Sequence, residues 1–219
     1  MAFTDQTRDQ ARDIIAQYPD SRSALLPLLH LVQAAEGQVT PDGIVFCADL
    51  LDLTTAEVAS VATFYTMYKR HRTGKHHIGV CTNTMCAVLG GDAVWASLSD
   101  ELGIGHDETT ADGMFSIERI ECQAACTHAP SATIDWEFFD DATPASLSQA
   151  IATLRAGGTV QPTRGAAIRD FRATEHSLAI PDDGLAGEGV AADHRMLAGL
   201  NAAKAAGLAP QDHANGATS

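Results

Sequence analysis

No run of apolar residues in this chain approaches eighteen, so nothing in it reads as a membrane-spanning helix. The opening residues, Met1-Ala2-Phe3-Thr4-Asp5-Gln6, are polar and lack the apolar stretch of a secretory signal. Structural disulfides, which need an oxidising compartment, are therefore not expected. Basic residues are scarce: 14 Lys and Arg stand against 28 Asp and Glu, a formal net charge of −14. Such a surface argues against nucleic acid as a partner. Cys-x-x-Cys, the usual spacing of a dithiol redox site, is absent. What remains is a 219-residue chain with 45% hydrophobic residues, enough for one large domain or two small ones with a real core.

Against these absences stand four cysteines. Cys81 and Cys86 enclose four residues, Cys122 and Cys126 enclose three, and 35 residues separate the pairs. A short loop presents two sulfurs at once, so two such loops can converge on one soft metal centre. A [2Fe–2S] cluster with two sulfurs on each iron fits this spacing. A structural zinc site stays open, although its pairs are commonly tighter. A Rieske centre would need two histidines; His128 lies near Cys126, but no second histidine accompanies Cys81 or Cys86. Cys47 has no partner at useful spacing and sits in an apolar helical pattern, so it reads as a core residue. The cysteine segment is also the acidic one. Residues 73–156 hold Lys75, Arg119 and Arg155 against twelve acidic residues. Most of those charges read as solvated surface, and acidic groups near a cluster disfavour an added electron.

Residues 1–72 read as helical. Thr4 caps a helix to Tyr18 that Pro19 stops, and Ser23 caps a second from Ala24 to Ala35 that Gly37 ends. Thr40-Pro41 opens a third, to about Leu51. Thr54 and Glu57 form a capping box for a fourth, with Val58, Val61, Phe64, Tyr65 and Tyr68 as its apolar side. The short turn between the last two resembles a helix-turn-helix, yet the only basic cluster nearby is Lys69-Arg70-His71-Arg72. Residues 73–158 change character. A strand at His76–Val80 leads into Cys81, and a helix runs from Cys86 to about Leu102. A strand over 114–121 delivers Cys122, a strand follows at Ala132–Trp136, and a helix closes the segment at Pro144–Leu154. This is an α+β chain: a helical N-terminal part, then a compact sheet covered by helices. Both cysteine loops leave strand ends and are expected to meet at one edge. Met85, Ala87, Ala124 and Ala125 would limit water around them. Residues 159–219 read as an extended tail with one helical stretch in 190–206. His30, His76, His77, His106, His176, His194 and His213 lack metal-ligand companions.

Five blocks in order carry a resemblance. They are Ser23-Ala24-Leu25-Leu26-Pro27-Leu28-Leu29-His30, Val61-Ala62-Thr63-Phe64-Tyr65-Thr66-Met67-Tyr68, the Cys81/Cys86 loop, Thr110-Ala111-Asp112-Gly113-Met114-Phe115, and Glu121-Cys122 through Cys126 to Ala129-Pro130. Over about residues 10–156 the chain resembles the thioredoxin-like [2Fe–2S] subunits of respiratory NADH–quinone oxidoreductase (complex I). The small subunits of NAD-linked formate dehydrogenases and hydrogenases share the family. The resemblance implies a thioredoxin-like α/β domain after the helices, with one [2Fe–2S] cluster on Cys81, Cys86, Cys122 and Cys126. It implies one-electron exchange with FMN of an NADH-binding flavoprotein subunit, a cluster off the main path to quinone, and an Fe–S-rich large subunit nearby. The complex would be membrane-bound and this subunit peripheral, on the cytoplasmic side. NADH and FMN belong to the partner: Gly103-Ile104-Gly105 lacks a third glycine and follows no strand, so it is no dinucleotide fingerprint. One departure is Gln123-Ala124, where many members of the family have Leu-Gly.

Overall fold

The computed structural model describes residues 3–180, 184 and 193–208. The chain divides into two units, residues 1–189 and 190–219.

The first unit opens with four helices: α1 (Asp5–Ile15), α2 (Leu25–Glu36), α3 (Pro41–Leu51) and α4 (Thr55–Phe64). Three of the expected caps form. The side chains of Thr4, Thr40 and Thr54 accept from Thr7, Gly43 and Glu57 N–H, and the Thr54–Glu57 box is reciprocal. Ser23 is not a cap. A 3-10 turn over Ser21–Ala24, capped by Asp20, precedes α2 instead, which leaves Pro27 in the first turn where its missing N–H costs nothing. Leu28, Leu29, Val32, Phe46, Cys47, Leu51 and Val58 form the core of this part. The apolar stripe expected to continue along α4 breaks at its end. Phe64 is 77% exposed and Tyr65 is exposed, while Tyr68 turns inward and its hydroxyl donates to Leu26 O at 2.9 Å. Lys69, the first residue of the Lys69-Arg70-His71-Arg72 cluster, is buried and paired with Glu118.

A five-stranded sheet follows, in the order β2-β3-β1-β4-β5. Its strands are β1 (His76–Cys81), β2 (Glu108–Thr109), β3 (Phe115–Ile120), β4 (Ala132–Ile134) and β5 (Glu137–Phe139). β1 and β3 are parallel with Cys81 opposite Ile120; the other pairings are antiparallel. Strand alternation puts Ile78 and Val80 on one face of β1 and His77, Gly79 and Cys81 on the other. Ile78, Val80, Phe115, Ile117, Ala132 and Ile134 form the second core with Val94, Trp95 and Leu98 of α6 (Gly91–Leu102) and Leu147, Ile151 and Leu154 of α7 (Pro144–Arg155). The single helix expected from Cys86 to Leu102 is two. α5 (Thr84–Val88) stops before Gly90, whose φ of 111° only glycine adopts easily, and α6 begins at Gly91.

Against the other face lies a buried polar cluster. His77 Nε2 stands 3.1 Å from Glu118 Oε2, and Lys69 pairs with the same carboxylate. Burial raises the Glu118 carboxyl, but His77, Lys69 and their charges outweigh it and lower it to about 2. The rings of Trp136 and Phe171 lie beside His77, at centroid distances of 4.8 and 5.9 Å. Trp136 occupies the two-residue turn between β4 and β5, where Asp135 (φ 49°) and Trp136 (φ 71°) are both left-handed. Hairpins of this kind favour Asn-Gly because positive φ is costly elsewhere. Here buried bonds hold it. Asp135 accepts from His77 N–H at 2.8 Å and faces His76 Nδ1 at 2.6 Å, and Trp136 Nε1–H donates to Glu175 Oε1 at 2.6 Å.

Glu175 belongs to α8 (Phe171–Ala179), inside the segment expected to be an extended tail. That expectation fails for residues 159–180. Ile168 joins the sheet core, Phe171 is fully buried, Arg172 binds the carbonyls of Ala34 and Ala35, and Glu175 meets His30 Nδ1 at 2.6 Å. Asp170 caps the helix by accepting from Ala173 N–H. The second unit contains α9 (Ala198–Ala205), within the helical stretch expected over 190–206. Residues 190–192 and His213 lie outside the described residues.

Candidate metal centre

The parallel pairing of β1 and β3 brings the cysteines together. Cys81 is the last residue of β1, and Cys122 follows the end of β3 by two residues. Parallel neighbours end on the same side, so both loops leave one end of the sheet from two interior strands. The sequence led to an edge; the structure gives an end.

Cys81 and Cys86 are buried, with Ile120 and Ala129 packed against them. α5 carries Cys86 back toward Cys81, and Gly91 lets the start of α6 lie against both. A Cβ at Gly91 would stand 2.6 Å from Cys81 O and 2.8 Å from Cys86 O. Cys81 N–H donates to Ser131 O at 3.0 Å, which locks the strand end to the segment before β4. Burial pushes the Cys86 thiol up to about 11, the Ser131 N–H works against this, and the adjacent Cys81 and Cys126 add to it. Asn83, between the two cysteines, donates from Nδ2 to Cys81 Sγ at 3.7 Å and to Ile120 O at 3.2 Å.

Cys122 and Cys126 are exposed, and their sulfurs are 3.8 Å apart. The small apolar residues expected to keep water from the loops do not close over them: Ala87 and Ala125 are half-buried and Met85 and Ala124 are exposed, while Ile120 and Ala129 cover Cys81 and Cys86. The Cys126 thiol is raised, first by its hydrogen bond to Cys122 and then by the charges of Cys122 and Cys81. Cys126 adds to the shift of Cys86, and Cys81 to that of Cys126, so the two loops end near each other. Ala124 turns the second loop with φ 55°, a left-handed residue where glycine is easier.

The donor set suits a soft thiophilic metal. Two thiolates on one tetrahedral metal at about 2.3 Å stand about 3.8 Å apart, which is the Cys122–Cys126 spacing. The raised Cys86 and Cys126 thiols are not activated nucleophiles; a bound metal would displace thiol protons. Among the described residues no three His, Cys, Asp or Glu side chains converge as a single-ion site; the sulfurs stand as two pairs. Cys47 is far from ligand chemistry in character, fully buried in the helical core with its thiol pushed up to about 12 by burial. A cleft of about 800 Å³, lined by Gln10, Arg72, Lys75, Asp170, Arg172 and His176 among others, contains no cysteine. Sequence reasoning passed over Asn83, whose only signal was its place between two ligand candidates, and Gly91, whose role needs the approach of α6.

Residues 11–155 match the model of the thioredoxin-like [2Fe-2S] ferredoxin family. The chain is 52% identical over 199 residues to an NADH-quinone oxidoreductase subunit of Mycobacterium tuberculosis, covering 89% of this chain and 77% of that protein. It is 39% identical over 160 residues to NADH-quinone oxidoreductase subunit 2 of Thermus thermophilus, covering 72% and 88%. Among solved structures, the air-oxidized NAD+-reducing [NiFe]-hydrogenase shares the fold with a TM-score of 0.52 at 19% identity, over 59% of this chain and 23% of that one. The chain belongs to the thioredoxin-like [2Fe-2S] ferredoxin family.

Proposed function

We propose that the chain is the electron-transfer subunit of an NADH–quinone oxidoreductase, with Cys81 and Cys86 holding one iron of a [2Fe–2S] cluster and Cys122 and Cys126 the other. The observation that carries the reading is the delivery of two sulfur pairs to one end of the β1–β3 pair, one of them at the spacing of a tetrahedral metal edge. When bound, such a cluster supplies reversible one-electron storage. The protein's share is to hold and tune it. Buried Cys81 and Cys86 anchor one side away from water, and the Ser131 N–H and Asn83 amide are aimed at their sulfurs. Exposed Cys122 and Cys126 present the other side to a partner.

That partner is the flavoprotein subunit, which carries NADH and FMN, with an Fe–S-rich large subunit beside it. The relatives named as NADH-quinone oxidoreductase subunits support this assembly. The subunit sits peripherally on the cytoplasmic side of the membrane; among the described residues no helix is long and apolar enough to cross one. The helical part (1–72) and the sheet part (73–158) divide the work, the first docking on neighbouring subunits through exposed residues such as Phe64 and Tyr65, the second holding the cluster. A second reading, the equivalent subunit of an NAD-linked hydrogenase or formate dehydrogenase, draws on the shared hydrogenase fold, but the 52% relative favours the first.

The test is iron and sulfide analysis with low-temperature EPR on anaerobically purified protein. Two irons, two sulfides and a rhombic signal that appears only with dithionite are expected. A colourless protein that holds zinc and no sulfide after reconstitution would refute the reading. Co-purifying proteins identify the parent complex.

A further inference from the structure

Asn83 stands at the N-cap of α5, where an asparagine side chain ordinarily accepts from the first helical N–H groups. It makes no such bond. Its amide nitrogen is turned the other way, 3.7 Å from Cys81 Sγ and 3.2 Å from Ile120 O. A carbonyl oxygen and a metal-bound thiolate are both acceptors, so the NH₂ end of the amide is the end that must face them. Its two hydrogens serve both at once. One side chain therefore joins the end of β1, the end of β3 and a ligand sulfur, at the point where Cys81 and Ile120 are paired across the strands.

We propose that Asn83 is a positioning and tuning residue for the cluster: its amide donates to the Cys81 thiolate, raising the reduction potential, while its bond to Ile120 O holds the two cysteine loops in register. The inference rests on the cluster reading above. A donor to a ligand sulfur stabilises the more negative, reduced state more than the oxidised one, and in a half-buried site that difference is not screened away. The bond to Ile120 O explains why the donor stays aimed, since the amide cannot rotate away from the sulfur without losing its second acceptor.

The experiment is an EPR-monitored redox titration of the full chain, wild type against Asn83→Leu and Asn83→Asp. Leucine keeps the volume and removes the donors; the reduction equilibrium should fall about tenfold, a drop of about 59 mV for one electron. Aspartate adds a negative charge and should lower it further. A purely structural role would change cluster content or thermal stability and leave the potential of the loaded fraction alone. Unchanged potentials in both variants, with two irons and two sulfides per chain, overturn the proposal. A second measurement needs no variant to fold. The chain has three asparagines, Asn83, Asn201 and Asn215. Side-chain ¹⁵N-labelled asparagine should give a nitrogen coupling in the pulsed-EPR spectrum of the reduced wild-type protein. Its absence overturns the proposal even if the variants fail to load. A wild-type protein that assembles no cluster removes the functional reading itself, and with it this inference.

Discussion

Glu175→Ala is expected to be among the most damaging single substitutions outside the cysteine loops. Glu175 is fully buried on α8, with His30 Nδ1 at 2.6 Å on one oxygen and Trp136 Nε1–H at 2.6 Å on the other. Alanine leaves both groups without their acceptor. An unsatisfied buried donor costs about 1–3 kcal/mol, so two of them cost about 2–6 kcal/mol together. A domain of this size is stable by about 5–15 kcal/mol, so the loss is a large fraction of the whole. Glu175→Gln separates the causes. It keeps an oxygen for Trp136 and turns an amide donor toward His30 Nδ1, which accepts once the ring carries its proton on Nε2, and its cost should be about 1 kcal/mol. Urea unfolding followed by far-UV circular dichroism reads both variants. The midpoint should fall steeply for alanine and slightly for glutamine, with the slope unchanged. A lower slope for alanine would mean that α8 detaches by itself. An alanine variant within about 1 kcal/mol of wild type would refute the argument that this network holds α8 and the Asp135-Trp136 turn to the sheet.

Other expectations follow from the same geometry. Cys122→Ser should abolish the reduced-state EPR signal yet shift the unfolding of the apo chain by less than about 0.5 kcal/mol, because the side chain is exposed; retained native absorbance would remove Cys122 from the ligand set. Ala124→Gly should stabilise the apo chain by at most about 1 kcal/mol, since relief of the left-handed φ exceeds the entropy that glycine adds to the unfolded chain; a clear loss in denaturant midpoint would contradict this. The Glu118 carboxyl, lowered to about 2, is below its unfolded value of about 4.3, so its contribution is present above pH 4.3 and lost as the pH falls toward 2. Glu118→Gln should flatten that limb of the stability profile, a difference on the order of 2–3 kcal/mol; identical acid limbs would count against the pairing with Lys69 and His77. Truncation after Thr163 should yield a destabilised chain, because burial of Phe171 alone is worth about 1.5–3 kcal/mol; a truncated form with native stability would return residues 164–180 to the status of a tail.

The parts that local chemistry dictates were legible. Thr4, Thr40 and Thr54 announce their helices because a cap is a contact within three residues. The cysteine spacing is likewise a local pattern, and strand-then-cysteine at residues 76–81 and 115–122 anticipated where the loops begin. The rest depended on distance in the chain. α8 reads weakly because its buried Glu175 finds partners some 40 and 145 positions away in Trp136 and His30, which no window contains. His76 and His77 look isolated for the same reason: Asp135 and Glu118 reach them only through the sheet. Gly90 ended a helix that periodicity alone would continue to Leu102.

The unequal burial of the two sulfur pairs has a consequence for electron placement. Cys81 and Cys86 are inside, while Cys122 and Cys126 face solvent or a partner. In the proposed cluster an added electron would bring one negative charge to a site of four thiolates in the acidic part of the chain. Water and partner dipoles would solvate that charge best at the exposed side, so an iron held by Cys122 and Cys126 would be the better place for it. The Asn83 and Ser131 donors reach the buried sulfurs and would oppose that bias. Mössbauer spectra of the reduced, ⁵⁷Fe-loaded chain should show one ferric and one ferrous site. A Cys126→Ser variant that still binds the cluster should perturb the ferrous component, whereas a Cys86→Ser variant should perturb the ferric one. The opposite assignment would mean that the hydrogen bonds at Cys81 and Cys86 outweigh solvent exposure in deciding where the electron rests.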